Sequence, residues 1–315
     1  MNHLPGMDLL HGAVDCHVHA CPHVNARSLD VLQAVRAAAA AGMHGIGLMD
    51  NFTNTSGYAA LAQRELGHLG VEVFGGLIME PPAGGLATET VKIALGYGYS
   101  QSDGARFISL PTHHTRHIAM QERRSPAYID TCLALPEHGE LPDPLPEILD
   151  LIAQHDVVLN TGHISGPEAV HLVESARQRG VERILVPANH YCVDEVRSIT
   201  AAGAYAEFSF FFLSHATQLG LTHVDDEKHT VAAVTLAQIN PLIQAASPAQ
   251  TILSSDCGVY VLPPPVEGLR ELLLLIASLG YTPSELRQMV SDNPKQLFKL
   301  QKCASPNSNR LTTDN

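Results

Sequence analysis

The sequence predicts a (β/α)8 barrel. Three observations carry that reading. Eight short apolar runs recur along the chain, each followed by an amphipathic Ala/Leu-rich stretch and a Gly or Pro stop. The runs are apolar throughout rather than alternating, as parallel strands buried on both faces require. Polar residues rich in His and Asp follow nearly every run, whereas an open doubly wound sheet would gather them at one switch point.

In order, the first run is Ala13 to His19, with a helix from Ser28, read as its N-cap, to Ala41 and Gly42 as the stop. His44 to Met49 is the second strand and Ser56 to His68 its helix. Val71 to Ile78 is the third, backed by a helix from Leu86 to Tyr97, and Arg106 to Leu110 is the fourth. A polar insertion from Pro111 to Leu141 interrupts the rhythm and is expected to lie over the barrel mouth as a lid. Pro144 to His155 resumes as a helix, Val157 to Thr161 is the fifth strand and Pro167 to Arg179 its helix. Arg183 to Pro187 is the sixth, followed by Val193 to Ala201. Ala204 to Ser209 is the seventh, with a helix from Thr230 to Gln244, and Thr251 to Ser255 is the eighth. Helices from Val266 to Ser278 and Pro283 to Val290 close the chain. The reading is one domain over residues 1–303 and a disordered tail over 304–315.

A chain of 315 residues with 45% hydrophobic side chains and a net charge of −13 has material for a core and lacks the basic face of a nucleic-acid binder. Its 18 His beside no Trp are more imidazoles than packing needs, and His is the commonest metal ligand and neutral-pH acid or base. The six Cys form no C-x-x-C pair, Met1 to Gly12 lacks the pattern of a signal peptide, and the longest apolar stretch, Leu272 to Leu279, is too short to span a bilayer. The expectation is a reduced, cytoplasmic protein acting on a small molecule, with no nucleic-acid or membrane partner.

The chemistry-bearing residues lie at strand ends. Alternation puts His17 and His19 on one face of the first strand, where two imidazoles on a rigid element can share a metal ion. His163 follows strand 5 after Gly162, a small residue suited to a turn at the rim. His190 follows strand 6 and points either into the mouth or to solvent. Asp256 ends strand 8, where a carboxylate can ligate the metal and take a proton from its water. The insertion supplies His113, His114, His117, Arg116, Arg123 and Arg124. Of these, Arg116 is expected to hold a substrate carboxylate, and His113 or His114 to ligate or catalyse. Glu80 after strand 3 is either a base, with substrate contact, or a partner of a metal His. Phe211 of the run Phe210-Phe211-Phe212 is expected in an apolar pocket wall. His23 is expected at the rim, and His215, His223 and His229 in solvent. Cys16 is expected to face outward into the helix layer, and Cys257 is a weak candidate for a soft ligand.

His17-x-His19, His163, the His-bearing end of strand 6 and Asp256 together resemble the amidohydrolase superfamily of metal-dependent hydrolases, over about residues 13 to 300. The segments Asp15 to Pro22, Gly75 to Leu86, Leu110-Pro111-Thr112, Thr161-Gly162-His163 and Met289 to Pro294, where Asn-Pro is read as ending a helix, resemble an amidohydrolase-like subgroup of uncharacterised function. The resemblance implies a TIM barrel, one or two divalent metals with zinc expected and manganese or iron as alternatives, cleavage of an amide, lactone or ester, and a homo-oligomer. Two departures stand out. Strand 4 has no Lys that could be carbamylated to supply the bridging carboxylate of binuclear members, and Asp50 at the end of strand 2 either bridges two metals or caps a turn. The strand 6 position falls on either Asn189 or His190. A metal-dependent decarboxylase or lyase, and a non-catalytic ligand-binding barrel, are the competing readings.

Overall fold

The computed structural model describes residues 4–100, 103–215, 221–222, 228–229 and 231–300; the tail expectation and His223 lie outside them, as does the side chain of His229. Eight parallel strands run in the order of the sequence: β1 (Val14–Val18), β2 (Gly45–Leu48), β3 (Glu72–Ile78), β4 (Phe107–Ser109), β5 (Val158–Asn160), β6 (Ile184–Pro187), β7 (Tyr205–Ser209) and β8 (Thr251–Ser254). Sequential order and parallel pairing bring β8 back beside β1. There His19 N–H donates to Cys257 O (2.9 Å) and Asp256 N–H to His17 O (2.9 Å), closing the (β/α)8 barrel. A short antiparallel ribbon, Leu221–Thr222 with Lys228–His229, lies between β7 and β8.

The helices are α1 (Val31–Ala40), α2 (Ser56–Leu66), α3 (Thr88–Gly96), α4 (Arg116–Gln121), α5 (Pro126–Ile129), α6 (Leu145–His155), α7 (Gly166–Gln178), α8 (Val193–Ala201), α9 (Phe210–Leu213), α10 (Leu236–Ala246), α11 (Pro265–Ala277), α12 (Pro283–Arg287) and α13 (Asn293–Phe298). Their starts are chemically marked. Asp30 with Gln33, Ser165 with Glu168, Thr235 with Gln238 and Thr282 with Glu285 each form a reciprocal capping box, satisfying N-terminal N–H groups that have no helical partner. No helix among the described residues is long and apolar enough to cross a membrane.

Four local expectations change. Asp30, not Ser28, caps α1, because Ser28 N–H donates to Gly258 O (2.8 Å) and keeps its segment extended. The helix before β8 begins at Leu236 rather than Thr230, since the Thr235 box sets the start. Asn-Pro does not end the last helix. One widened turn, Gln288–Asp292, leads into α13, and Pro294 sits in its first turn, where its missing N–H is harmless. Asn293 Nδ2 holds that junction against the barrel through Pro248 O (2.8 Å) and Thr251 O (2.7 Å).

The fourth change concerns β1. Asp15 is opposite Ile46 and Val18 opposite Leu48, so β1 carries one extra residue against β2. Alternation from Val14 places Cys16 inward, and the bulge lets its neighbour His17 face inward as well. The Cys16 side chain joins Val14, Phe107, Val158, Leu185 and Ile252 inside the barrel instead of the helix layer. Leu297 and Phe298 of α13 complete this inner cluster, with the Phe298 ring 4.6 Å from that of Phe74. Large side chains fill this part of the barrel interior, leaving the polar chemistry to the strands' C-terminal ends.

Candidate metal centre

The bulge leaves His17 pointing inward, and with alternation restored His19 follows it one residue past β1. Asp256 meets them from the end of β8. His17 Nε2 lies 3.2 Å and His19 Nε2 3.3 Å from the same Asp256 Oδ1. All three residues are buried, and their donor atoms gather within 4.8 Å. Two backbone choices permit this. Asp256 adopts φ +49°, a left-handed conformation that Asp tolerates better than most residues. Gly258 allows the chain to pass His19, since a Cβ there would stand 1.8 Å from His19 O.

Behind the cluster stands a residue the sequence reading missed. Glu207, fully buried on β7, accepts from His17 Nδ1 (3.2 Å) and from Ser254 Oγ (2.6 Å). A carboxylate on the rear nitrogen fixes the ring's orientation and leaves Nε2 facing the mouth. Its only signal in sequence is one acid inside the otherwise apolar run of β7. Asp15 is buried too, accepting from the N–H groups of Ser255 (3.0 Å) and His17 (3.3 Å); burial pushes its carboxyl up to about 7.

The electrostatics favour a cation. Burial pulls the His17 imidazole down, but Asp256 and Glu207 on either side outweigh it and raise the group to about 9. Burial pushes the Asp256 carboxyl up, yet His17, His19 and His163 hold it below the usual carboxylate range, so it is ionised at neutral pH. The His19 imidazole is lowered by burial, and its buried Nδ1 has no hydrogen-bond partner among the described residues.

A pocket opens above the cluster. His163, Asn189, His190, His113, His117, Phe211 and Arg27 contribute to its walls. Gly162 delivers His163: at φ +62° a Cβ would lie 2.3 Å from Pro111 O, so only Gly fits. Burial lowers the His163 imidazole to about 3 despite Asp256 nearby. His163 lines the pocket but stands outside the gathered donor group. Both strand 6 candidates reach the wall, with different ties. Asn189 Oδ1 accepts from Ser209 N–H (3.0 Å), leaving a buried Nδ2 without a partner among the described residues. His190 Nε2 pairs with Ala232 O (2.7 Å), which draws it away from the metal group.

Other expected site residues are placed elsewhere. Asp50 is buried at the end of β2, accepts from Phe52 N–H (2.8 Å) and lies 3.5 Å from His23 Nε2, so it joins neither the donor group nor the pocket wall. Burial raises its carboxyl to about 6. Glu80 anchors a loop and is not among the described residues that line the pocket. Its Oε1 accepts from the N–H groups of Thr112 (2.7 Å) and His113 (2.6 Å), and its Oε2 from His114 N–H (3.2 Å). With three successive amides pinned, His113 faces the pocket while His114 turns away to Thr131 O (2.8 Å). Arg116 is exposed on α4, off the pocket wall, and the arginine that lines it is Arg27. Cys257 is buried with its Sγ toward Gly268 of α11, away from the metal group.

The (β/α)8 barrel brings two His from the end of its first strand and an Asp from the end of its last together at one mouth, the arrangement on which the sequence's resemblance to the amidohydrolase superfamily rests. The chain belongs to the family described as "Family of unknown function (DUF6282)", whose model matches residues 12–207. That span includes His17, His19, His163 and Glu207 and stops before Asp256. No curated protein matches the chain. Among solved structures, the organophosphorus hydrolase of Deinococcus radiodurans superimposes with a TM-score of 0.57 at 15% identity, covering 94% of each chain. An amidohydrolase of Pseudomonas aeruginosa gives 0.58 at 9% identity over 94% of this chain and 99% of that one. The "probable dipeptidase PvdM" of the same organism gives 0.59 at 12% identity over 94% and 97%. These likenesses establish the fold.

Proposed function

We propose that the protein is a metal-dependent hydrolase that activates water against an amide, lactone or ester carbonyl of a small substrate. The observation that carries this is the convergence of His17 Nε2 and His19 Nε2 on one Asp256 oxygen at a pocket floor, with Glu207 locking His17 from behind. The donor set fits a divalent ion of the zinc type: two imidazole nitrogens and a carboxylate gather within 4.8 Å, and the negative field that raises His17 would equally hold a metal cation. Bound there, such an ion would supply a lowered pKa for water and polarise a carbonyl.

The chain's own groups do the rest. Asp256, held ionised by its imidazole neighbours, accepts the proton that water loses. Asn189 Nδ2, buried on the wall without a partner, is the donor for the oxygen on which negative charge develops. His113 and His117 line the same pocket, and Phe211 supplies an apolar surface for the substrate body. The names of the barrels that share the fold include a lactonase template and organophosphorus hydrolases, which support hydrolysis as the reaction class.

The test has two parts. Metal analysis of the purified protein should find near-stoichiometric zinc, manganese or iron; a metal-free protein that does not take up these ions would overturn the reading. A screen of lactones, cyclic amides and aryl esters in ¹⁸O-labelled water should then place the label in the product. Turnover without label would point to a decarboxylase or lyase instead.

A further inference from the structure

The segment after β1 runs extended along the chain that carries Asp256. Arg27 bridges Val259 in antiparallel fashion, and Ser28 N–H donates to Gly258 O (2.8 Å). This fixes Arg27 on the pocket wall beside the metal group, through backbone rather than through a flexible loop. Arg27 is the one Arg or Lys among the described residues lining the pocket.

Its guanidinium is poorly satisfied. No carboxylate oxygen of a described residue lies within ion-pair distance of it. The two nearby acids are engaged, Asp50 by Phe52 N–H (2.8 Å) and Asp256 by His17 and His19. Nη1 donates to Ala26 O at 3.2 Å, and the buried Nε has no partner among the described residues. Nη2 stands 2.7 Å from His23 Nε2, but Nδ1 of that ring accepts from Asn25 N–H (2.9 Å). Nε2 therefore carries the neutral imidazole's proton, and two donors face one another. A half-buried cation with one modest acceptor is costly unless something else supplies oxygen.

We propose that Arg27 is the anchor for a carboxylate on the substrate. The substrate class is then a small acid whose carboxylate sits at Arg27 while its scissile carbonyl lies over His17, His19 and Asp256. Its apolar body rests on Phe211, Phe212 and Tyr260 of the same pocket. The fork of N–H donors suits a carboxylate, and in a protein of net charge −13 an anion needs such a local cation to enter. The identity of the scissile bond rests on the hydrolase reading; the anchor does not.

The test reads binding, so it is separate from turnover. Calorimetry of the full chain, metal-loaded and chelator-stripped, would compare benzoate and phthalate with the uncharged probe benzamide. Wild type is expected to prefer the acids in both forms. Arg27→Met should lose at least about tenfold for benzoate, the loss of a charge-assisted contact, while benzamide is unchanged. Arg27→Lys, which keeps the charge without the fork, should fall between, and exposed Arg116→Met should match wild type. Thermal melts verify that each variant is folded, and the wild-type comparison of acid with amide decides the matter should Arg27→Met fail to fold. Equal benzoate affinity in Arg27→Met, no acid preference in wild type, or a preference that disappears with the metal would each overturn the anchor. Tighter binding of phenyl phosphate than of benzoate would overturn its assignment to carboxylates. Arg27-dependent binding with no hydrolysis of any ester, lactone or amide would leave the anchor standing and remove the hydrolase.

Discussion

Replacing Glu207 by Gln removes one negative charge and keeps the side-chain shape. Glu207 Oε1 is fully buried, 3.2 Å from His17 Nδ1 and 2.6 Å from Ser254 Oγ. Gln retains an oxygen to orient the ring but loses half of the anionic pair that surrounds His17. Loss of such a partner typically weakens metal affinity about 10- to 100-fold, or about 1.4–2.7 kcal/mol. The pH dependence gives a second reading. His17 in the metal-free protein is raised from 6.5 to about 9, where Asp256 and Glu207 outweigh burial. A raised pKa means that the protonated His17 contributes stability that is fully present below about 6.5 and lost as pH rises through about 9. Metal-free Glu207→Gln should therefore melt furthest below wild type near pH 6 and approach it near pH 10. For the same reason, metal must displace a proton from His17, so wild-type affinity should climb about tenfold per pH unit until about 9. Competition with a chromogenic chelator between pH 6 and 9.5, together with melting curves, measures both. An affinity within twofold of wild type, with a pH-independent melting difference, would refute the role given to Glu207.

Four further outcomes are expected. Asp256→Asn should lower turnover about 10²- to 10⁴-fold, the usual contribution of a positioned proton acceptor, and metal analysis should show some ion retained. Gly258→Ala would push a methyl to within 1.8 Å of His19 O, displacing His19, so the purified variant should carry substoichiometric metal. Gly162→Ala combines φ +62° with a contact 2.3 Å from Pro111 O and should destabilise by about 1–3 kcal/mol or more in urea unfolding. His114→Ala should leave kcat/KM unchanged, because that ring faces Thr131 and not the pocket, whereas His113→Ala should lower it.

The eight strands were legible because a strand buried on both faces must be apolar at every position, and chains of this size offer few other uses for such runs. His17, His19 and Asp256 were legible because strand ends are rigid and alternation needs only local sequence. What escaped depended on distant partners. The bulge that lets adjacent Cys16 and His17 both face inward is a property of register with β2, which β1 alone does not encode. Glu207 and His17 are 190 residues apart and meet only across the closed barrel. Arg27 reaches the pocket because its segment pairs with residues after Asp256, whereas local propensity suggested the start of a helix. The choice between His113 and His114 is made by Glu80, which pins the backbone of both from β3's end. Pattern thus located the mouth, and tertiary pairing decided which neighbours face it.

The barrel closes where His17 backbone oxygen meets Asp256 and Cys257 oxygen meets His19, so the three donors straddle the seam between the first strand and the last. Ser255 and His17, which touch across that seam, are 238 residues apart. During synthesis the two imidazoles emerge early and wait for nearly the whole chain before their carboxylate arrives. A translation product cut short before residue 256 would carry two of the three donors and an open edge. If the cluster takes an ion, its capture therefore reports on completeness: only a chain made to the eighth strand, with its ends joined, presents all three donors.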